Sequence, residues 1–185
     1  MKNSETQLKQ LPDDTYRWYA IYTGYKREKV VKTSLEKQGI NVFLPLKTAH
    51  RQWGRKKKTV ELPLINGYLF VNITKNNYIP VLRTPNVVTF LKIGKILESI
   101  PDNQIDILRR VIGEDLDIDT CSETLTKGDA VEIIAGNLIG IKGRMVEIKG
   151  KNKFVIRLDR MGFDLHLELP NNLVRPINDK KLEYI

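Results

Sequence analysis

Cationic and aromatic side chains are concentrated in one stretch of this sequence, from residue 17 to residue 58. The stretch holds 12 Lys and Arg residues against two acidic residues, whereas the whole 185-residue chain holds 31 against 22. All the net positive charge therefore lies here, interleaved with six aromatic residues: Trp18, Tyr19, Tyr22, Tyr25, Phe43 and Trp53. Clustered cations beside aromatic rings predict binding to nucleic acid or another polyanion. The alternative is solvated charge on the faces of a helix and a hairpin.

Candidates for catalysis are few. The chain has two histidines, His50 and His166, and one cysteine, Cys121. His50 lies in the basic stretch and His166 lies between two leucines of an alternating strand. No Gly-rich phosphate loop, nucleophile–histidine–acid set or metal-ligand spacing can be assembled from the sequence. The sequence therefore predicts a protein that is not an enzyme and uses no cofactor or metal.

The composition predicts a cytoplasmic protein. A single cysteine cannot form an internal disulfide, and no apolar run approaches the ~20 residues that cross a bilayer. The first ten residues are polar and lack the apolar core of a signal peptide.

Local patterns in the first two thirds of the chain alternate between strands and helices. Residues 17–23 are predicted to form a buried strand, and residues 25–38 a helix that ends at Gly39 and carries a basic outer face. Residues 46–62 are predicted to form a hairpin with a basic tip. The Asn66-Gly67 pair predicts a tight bend before the next strand. A helix at 77–83, a strand at 87–91 and a helix starting near Pro101 follow, with Pro80 expected in the first helical turn.

The last third of the chain contains only strand signals. Residues 113–124 are acidic without a basic residue, which predicts an extended linker. Five short alternating segments then follow between glycine turns, at 130–133, 144–148, 154–158, 164–169 and 173–175, and they predict a small β-barrel. The fold class is thus α+β. The predicted domains are a flexible leader (1–15), an α/β module (16–112), the acidic linker (113–124), the barrel (125–178) and a tail (179–185).

Several motifs together resemble the NusG family of transcription elongation factors. Four features resemble parts of the N-terminal domain of that family. They are the Arg-Trp-Tyr opening at 17–19, the basic helix and hairpin, the Gly-Tyr-Leu-Phe-Val strand at 67–71 and the segment 83–87. Residues 128–133, followed by Gly136, Gly140 and Gly143, resemble the KOW motif that opens the family's SH3-like barrel. The resemblance covers about residues 17 to 177. It implies an α/β sandwich with an antiparallel sheet and flanking helices, followed by an SH3-like barrel.

Departures from the family pattern indicate a specialised paralogue, an operon-specific antiterminator of the kind that can serve surface-polysaccharide operons. Asn66-Gly67-Tyr68 replaces the usual Pro-Gly-Tyr. Met161 stands where housekeeping members commonly have an aromatic residue.

The resemblance also implies a mechanism and its residues. Members grip the clamp helices of RNA polymerase, bridge the DNA cleft and suppress pausing, without a cofactor and associated with elongating polymerase in the prokaryotic nucleoid. The positions that match the polymerase-binding surface are Trp18, Tyr19, Tyr22, Ile65, Tyr68 and Phe70, although core packing is the stronger interpretation for Trp18. The predicted nucleic-acid-binding positions, toward non-template DNA or nascent RNA, are Lys26, Arg27, Arg51, Arg55, Lys56, Lys57, Lys58, Asn77 and Arg83.

The barrel is expected to bind a ribosomal protein or a termination factor, and the predicted contact residues are Met161 and Phe163. A ribosome- or RNA-binding KOW protein is the alternative function. The α/β module and the acidic segment in front of the barrel distinguish the two, because a purely ribosomal KOW protein would need neither.

Overall fold

The computed structural model describes residues 11–12, 14–53, 56–94, 96–114, 116, 118–121, 128–148, 151–158 and 160–182. In chain order, the elements up to Phe90 are β1 (Arg17–Thr23), α1 (Glu28–Glu36), β2 (Asn41–Phe43), β3 (Leu46–Trp53), β4 (Lys56–Pro63), β5 (Tyr68–Ile73), α2 (Lys75–Arg83) and β6 (Val87–Phe90). The later elements are α3 (Asp102–Ile112), β7 (Ile118–Cys121), β8 (Asp129–Ile133), β9 (Lys142–Ile148), β10 (Lys151–Leu158), β11 (Phe163–Leu167) and β12 (Val174–Pro176).

The chain divides into two compact units. The first unit contains the described residues as far as Leu46 together with Ile65–Asp102, and the second contains Lys47–Leu64 and the described residues from Asn103 onward. This division differs from the predicted domain bounds, because the hairpin and α3 group with the second unit. Hydrogen bonds within that unit account for the difference: the Lys47 ammonium donates to the carbonyl of Ile118 at 2.7 Å, and Arg110 donates to two loop carbonyls at 2.7 and 2.8 Å.

The first unit is built on a four-stranded antiparallel sheet with the order β2-β5-β1-β6. Side chains alternate across this sheet, as the pleat requires. One face joins α1 and α2 in a single apolar core. From the sheet the core takes Tyr19, Ile21, Leu69, Val71, Ile73 and Phe90, and from the helices Val31, Leu35, Tyr78 and Val81. The predicted strand at 17–23 and the helix within 25–38 are confirmed.

Three local features shape the helices of the first unit: a glycine after α1, a pair of capping hydrogen bonds at the start of α2 and a proline inside α2. Gly39, after α1, takes φ +75°, the left-handed conformation that glycine tolerates best. At the start of α2, Asn77 accepts hydrogen bonds from the backbone N–H and the hydroxyl of Thr74, at 3.3 and 3.2 Å. Pro80 is the sixth of nine helical residues, so the expectation of a first-turn proline is wrong. Proline has no N–H to donate to the carbonyl of Asn76, four residues earlier, and Asn76 is exposed to solvent.

The second unit contains the predicted hairpin, as the two-stranded sheet β3-β4, and a six-stranded sheet with the order β12-β8-β9-β10-β11-β7. The five predicted strands at 130–133, 144–148, 154–158, 164–169 and 173–175 are all present within it. Every pairing described in the six-stranded sheet is antiparallel. Its edges are β12 and β7, which do not pair with one another among the described residues, so the sheet is open there.

Strand β7 lies inside the acidic segment that the sequence predicted to be an extended linker. It pairs with β11 from Ile118, opposite Leu167, to Cys121, opposite Asp164. The side chain of Ile118 is buried. Burial of one apolar side chain and pairing with the edge of β11 thus place part of the acidic segment in the sheet. The charge pattern of the segment had predicted self-repulsion instead.

A bend between β4 and β5 is fixed by a buried carboxylate. Glu28, the first residue of α1, is only 5% exposed, and its Oε1 accepts a hydrogen bond from the backbone N–H of Gly67 at 2.7 Å. The carbonyl of Gly67 in turn accepts from the backbone N–H of Thr23 at 2.8 Å. Gly67 takes φ +81°, as the predicted Asn66-Gly67 bend requires. This bend joins the start of α1, the end of β1 and the start of β5.

Removing the carboxylate of Glu28 should destabilise the first unit. Glu28→Ala leaves the buried N–H of Gly67 without its partner, which costs about 1–3 kcal/mol. Glu28→Gln keeps an acceptor oxygen and should lose less. Glu36→Ala is the matched control, because Glu36 is exposed and makes only a 3.7 Å surface pair with Lys32, worth less than about 1 kcal/mol. Chemical unfolding of the three variants measures the difference. Equal losses for Glu28→Ala and Glu36→Ala would contradict the role given to this hydrogen bond.

Candidate functional site

The face of the first-unit sheet opposite α1 and α2 carries a row of aromatic side chains. Phe43 lies between Trp18 and Phe70. Its ring meets that of Trp18 edge-on, with centroids 6.4 Å apart, and stacks on that of Phe70, with centroids 6.0 Å apart. Tyr22 and Tyr68 are directly opposite each other on β1 and β5, and their ring centroids are 5.1 Å apart. The row changes from buried to exposed along its length: Trp18 and Phe70 are buried, Tyr68 is half-buried and Tyr22 is 42% exposed.

The tyrosine pair opens onto a pocket of 320 Å³. The pocket is lined mainly by apolar and aromatic surface, and one cation stands among its residues, which are Tyr22, Tyr68, Thr89, Phe90, Leu91 and Lys92. Such a pocket at the edge of a sheet can accept an apolar side chain from a partner. Its opening beside Lys92 favours a partner with an acidic residue nearby.

The surroundings of the tyrosine pair set the space for one ring and the protonation of the other. A Cβ at Gly67 would lie 2.7 Å from Cε2 of Tyr22, so the absence of a side chain at residue 67 leaves room for that ring. Burial, and secondarily the neighbouring Tyr22, raises the pKa of Tyr68 above that of an exposed phenol. The hydroxyl of Tyr68 therefore stays protonated at neutral pH and can donate a hydrogen bond.

The six predicted polymerase-binding residues fall on different surfaces. Tyr19 belongs to the core under α1 and α2. Trp18, Ile65 and Phe70 are also buried, and the carbonyl of Ile65 accepts from the backbone N–H of Tyr68 at 3.3 Å. Only Tyr22 and Tyr68 reach the surface. Strand alternation accounts for Tyr19, because residues 19 and 21 of β1 face the helices, whereas residues 18, 20 and 22 face the opposite side. On that opposite side Trp18 and Phe70 are nevertheless buried, whereas Tyr22 is exposed.

The predicted nucleic-acid-binding residues are spread over two units. Lys26, Arg27 and Arg83 are exposed in the first unit, and Lys58 is exposed on β4 of the second. Asn77 caps α2, as described above. Arg51, Lys56 and Lys57 lie on the hairpin strands, where the structure describes only their backbone, and Arg55 lies outside the described residues.

The predicted contact residues of the second unit are not equally accessible. Met161 is buried in the turn between β10 and β11, where its backbone N–H donates to the carbonyl of Leu158 at 2.9 Å. Phe163, the first residue of β11, is half-buried. The β8–β9 loop instead exposes Ile134 and Ile139, at 42% and 57%.

Sequence reasoning missed several residues of these surfaces. Thr89, Leu91 and Lys92 join the pocket only because β6 pairs with β1, a long-range pairing that no local pattern signals. Glu28 looked like an ordinary surface acid at the start of a basic helix. The positive φ of Lys26 has no sequence signal either.

Metal binding and membrane insertion find no support in the part of the chain that the structure describes. No group of three or more His, Cys, Asp or Glu side chains in that part is arranged to hold a metal ion. None of the helices among those residues is long and apolar enough to span a bilayer.

Comparisons with known proteins agree with the geometry of the first unit. Residues 16–109, just over half of the chain, match the family model described as NusG, transcription termination factor nusG. The proteins named transcription termination/antitermination protein NusG from Streptococcus pyogenes serotypes M3 and M1 are each 27% identical over 166 residues, covering 82% of this chain and 91% of theirs.

A solved structure is similar in fold. It is titled "Domain interaction in Thermotoga maritima NusG", has a TM-score of 0.56 and 22% identity, and the match covers 88% of this chain and 98% of the other. The family model, the full-length relatives and the shared fold lead to one assignment. This chain belongs to the NusG family and is a factor of transcription termination and antitermination.

Proposed function

We propose that this chain binds RNA polymerase through the surface made by Tyr22 and Tyr68. The observation that carries the proposal is the exposed tyrosine pair beside a 320 Å³ pocket, inside the region that matches the family model. Aromatic side chains that are partly exposed around a pocket are the groups that concentrate binding energy at protein interfaces. The partner surface is the clamp helices of the large polymerase subunit, whose apolar side chains fill the pocket.

The consequence for transcription is a closed clamp. The first unit binds the clamp on one side of the DNA cleft. The side of the unit that faces away from the clamp reaches across the cleft, and this bridge suppresses pausing and termination. In this proposal the chain is an operon-specific antiterminator, with surface-polysaccharide operons as one class of target, and it acts in the cytoplasm at the nucleoid, with elongating polymerase.

The second unit takes the role of a recruitment module in this proposal. Its antiparallel sheet, β8 to β12, is the KOW-containing SH3-like barrel, and its partner is a ribosomal protein or a termination factor. The exposed Ile134 and Ile139 of the β8–β9 loop, with the half-buried Phe163, are the apolar side chains available for that contact.

Basic residues of each unit contact nucleic acid next to the polymerase. Lys26 and Arg27 precede α1, Arg83 ends α2, and the hairpin carries Lys58 together with its neighbouring cations. Non-template DNA or nascent RNA supplies the phosphates.

Removing the tyrosine pair should abolish polymerase binding without unfolding the protein. Tyr22→Ala with Tyr68→Ala removes two aromatic side chains that are not core, and interface residues of this kind cost about 2 kcal/mol or more each. Ile96→Ala, at a residue that is 53% exposed in the same unit, is the control. Pull-down of RNA polymerase and thermal unfolding are measured on the same preparations. A folded double variant that binds polymerase normally would exclude this docking surface.

A substitution at Ile65 distinguishes a role in polymerase docking from a role in folding. Ile65→Glu places a charge where the structure has a buried apolar side chain, so it should unfold the first unit rather than act only on binding. A folded Ile65→Glu variant that loses polymerase would instead make residue 65 part of the docking surface.

Neutralising the basic residues should weaken nucleic-acid binding in proportion to the phosphates that they contact. We expect Lys26→Gln with Arg27→Gln, and separately the replacement of Arg55, Lys56, Lys57 and Lys58, to flatten the log–log salt dependence by roughly 0.7–0.9 for each phosphate that is no longer neutralised. Lys180→Gln, at an exposed lysine near the other end of the chain, is the control. Titrations of DNA at several salt concentrations give the slopes. Unchanged affinity and slope would identify these residues as a solvated surface.

A further inference from the structure

The pocket beside the tyrosine pair has a cation in its wall. Among the described residues that line the pocket, Lys92 is the charged one, and the others apart from Thr89 are apolar or aromatic. The side chain of Lys92 is half-buried and makes no ion pair with another described residue. A pocket that only receives an apolar side chain needs no cation, so the charge of Lys92 bears on which partner the pocket accepts.

The backbone on both sides of Lys92 is fixed by hydrogen bonds. Before it, the N–H of Leu91 donates to the carbonyl of Ala20 on β1 at 2.8 Å. After it, Ile93 and Ile96 exchange two backbone hydrogen bonds, at 3.0 and 3.1 Å, which close a tight turn. The fold therefore places Lys92 at the pocket before a partner arrives, and a contact made through it costs less ordering entropy.

Docking would change the surroundings of this charge. The Lys92 side chain is partly exposed in the unbound chain, so water can solvate it. A partner that fills the pocket displaces that water, and a cation that is covered without an anion is strongly penalised. A purely apolar partner surface is therefore disfavoured here, whereas a surface that brings a carboxylate replaces the lost solvation with an ion pair.

A second hydrogen-bond donor lines the same pocket. The hydroxyl of Tyr68 keeps its proton at neutral pH, since burial raises the pKa of this phenol. An ionised carboxylate is an acceptor at both oxygens, so it can take hydrogen bonds from an ammonium and a phenol together. The pocket thus offers two donors to an acidic side chain and an apolar wall to its neighbour.

We propose that Lys92 selects the docking partner by forming an ion pair with a carboxylate that lies next to the apolar side chain inside the pocket. On a helical partner the acid and the apolar residue are three or four positions apart, because residues at that spacing share one face of a helix. Lys92 is in this way a specificity determinant. The inference rests on the proposed function, which brings the clamp helices of RNA polymerase to this surface, and it adds the charge that those helices carry there.

Binding kinetics of purified RNA polymerase on the immobilised full chain test the proposal. Lys92→Met keeps a long apolar side chain without the charge, Lys92→Glu reverses the charge, and Lys92→Arg keeps it. Lys37→Glu is the matched control, because it changes the net charge equally at an exposed lysine that follows α1. Each chain is measured at about 0.1 M and about 1 M salt, where the Debye length is about 10 and about 3 Å. Thermal unfolding checks that each variant folds.

We expect Lys92→Met to weaken polymerase binding about tenfold or more, and Lys92→Glu to weaken it further, because a like charge then faces the carboxylate. The loss should appear mainly in the dissociation rate and should persist at the higher salt concentration, since a covered pair is screened little. Tyr68→Phe removes one uncharged hydrogen bond and should weaken binding less than Lys92→Met does. At the higher salt concentration, Lys92→Arg and Lys37→Glu should bind about as tightly as the unaltered chain.

A charge exchange identifies the partner residue. Each acid of the clamp helices is replaced in turn by lysine, and one of these polymerase variants should recover binding to Lys92→Glu while losing binding to the unaltered chain. If none of them recovers binding to Lys92→Glu, the ion pair is not made and the inference is wrong.

Three further outcomes would overturn the inference. If Lys92→Met binds polymerase as tightly as the unaltered chain, the apolar stem of the side chain suffices. If Lys92→Glu and Lys37→Glu weaken binding alike and only at the lower salt concentration, Lys92 acts through long-range attraction. If Lys92→Met weakens binding to DNA and leaves polymerase binding unchanged, Lys92 contacts phosphate.

The double variant Tyr22→Ala with Tyr68→Ala distinguishes failure of this inference from failure of the proposed function. If the double variant loses polymerase while the Lys92 variants bind normally, the docking surface stands and only the role of Lys92 is wrong. If the double variant binds polymerase normally, the docking surface and the inference are both wrong.

Discussion

The pairing of β1 with β5 is the constraint on which the rest of the first unit depends. Because side chains alternate across a sheet, the register that sets Tyr22 opposite Tyr68 also sets Tyr19 and Ile21 against the helices. A slip of one residue would exchange the two faces, burying the tyrosine pair and exposing the core. The hydrogen bonds of Gly67, one to the carboxylate of Glu28 and one to Thr23, lie at the end of this pairing. One bend therefore helps to fix the register, the start of α1 and the position of the pocket.

In the function proposed above, the first unit uses one face of its sheet for stability and the other for recognition. The helix side of the sheet holds the large apolar side chains and is closed to solvent. The other side begins with buried rings at Trp18 and Phe70 and ends with rings that reach the surface at Tyr22 and Tyr68. The buried rings pack through Phe43, and the exposed tyrosines pack on each other, with ring centroids 5.1 Å apart. Recognition can therefore be altered at the open end of the row without removing the core.

Local signals in the sequence predicted the positions of helices, strands and turns better than they predicted which side of the sheet each side chain lies on. The aromatic strand at 17–23, the glycine after α1, the Asn-Gly bend and the basic hairpin each carry short-range chemistry, and the structure has all of them. Alternation along β1 puts Tyr19 and Tyr22 on opposite faces, but which of the two faces the helices cover depends on packing with residues far along the chain. Strand β7 was missed because five acids outweighed a single buried isoleucine in local reasoning. The pocket could not be found at all, since β6 contributes to it through pairing alone.

The buried carboxylate of Glu28 also has a kinetic consequence. An acid left on the surface near Lys26 and Arg27 could form an ion pair with either of them, whereas the Glu28 carboxylate is turned into the fold and accepts a backbone N–H instead. In the function proposed above, both cations stay available to a polyanion, and their attraction accelerates encounter at low ionic strength and loses most of that advantage once the Debye length falls to about 8 Å. On that proposal, the residue that fixes the bend also influences how quickly the protein finds a transcribing complex.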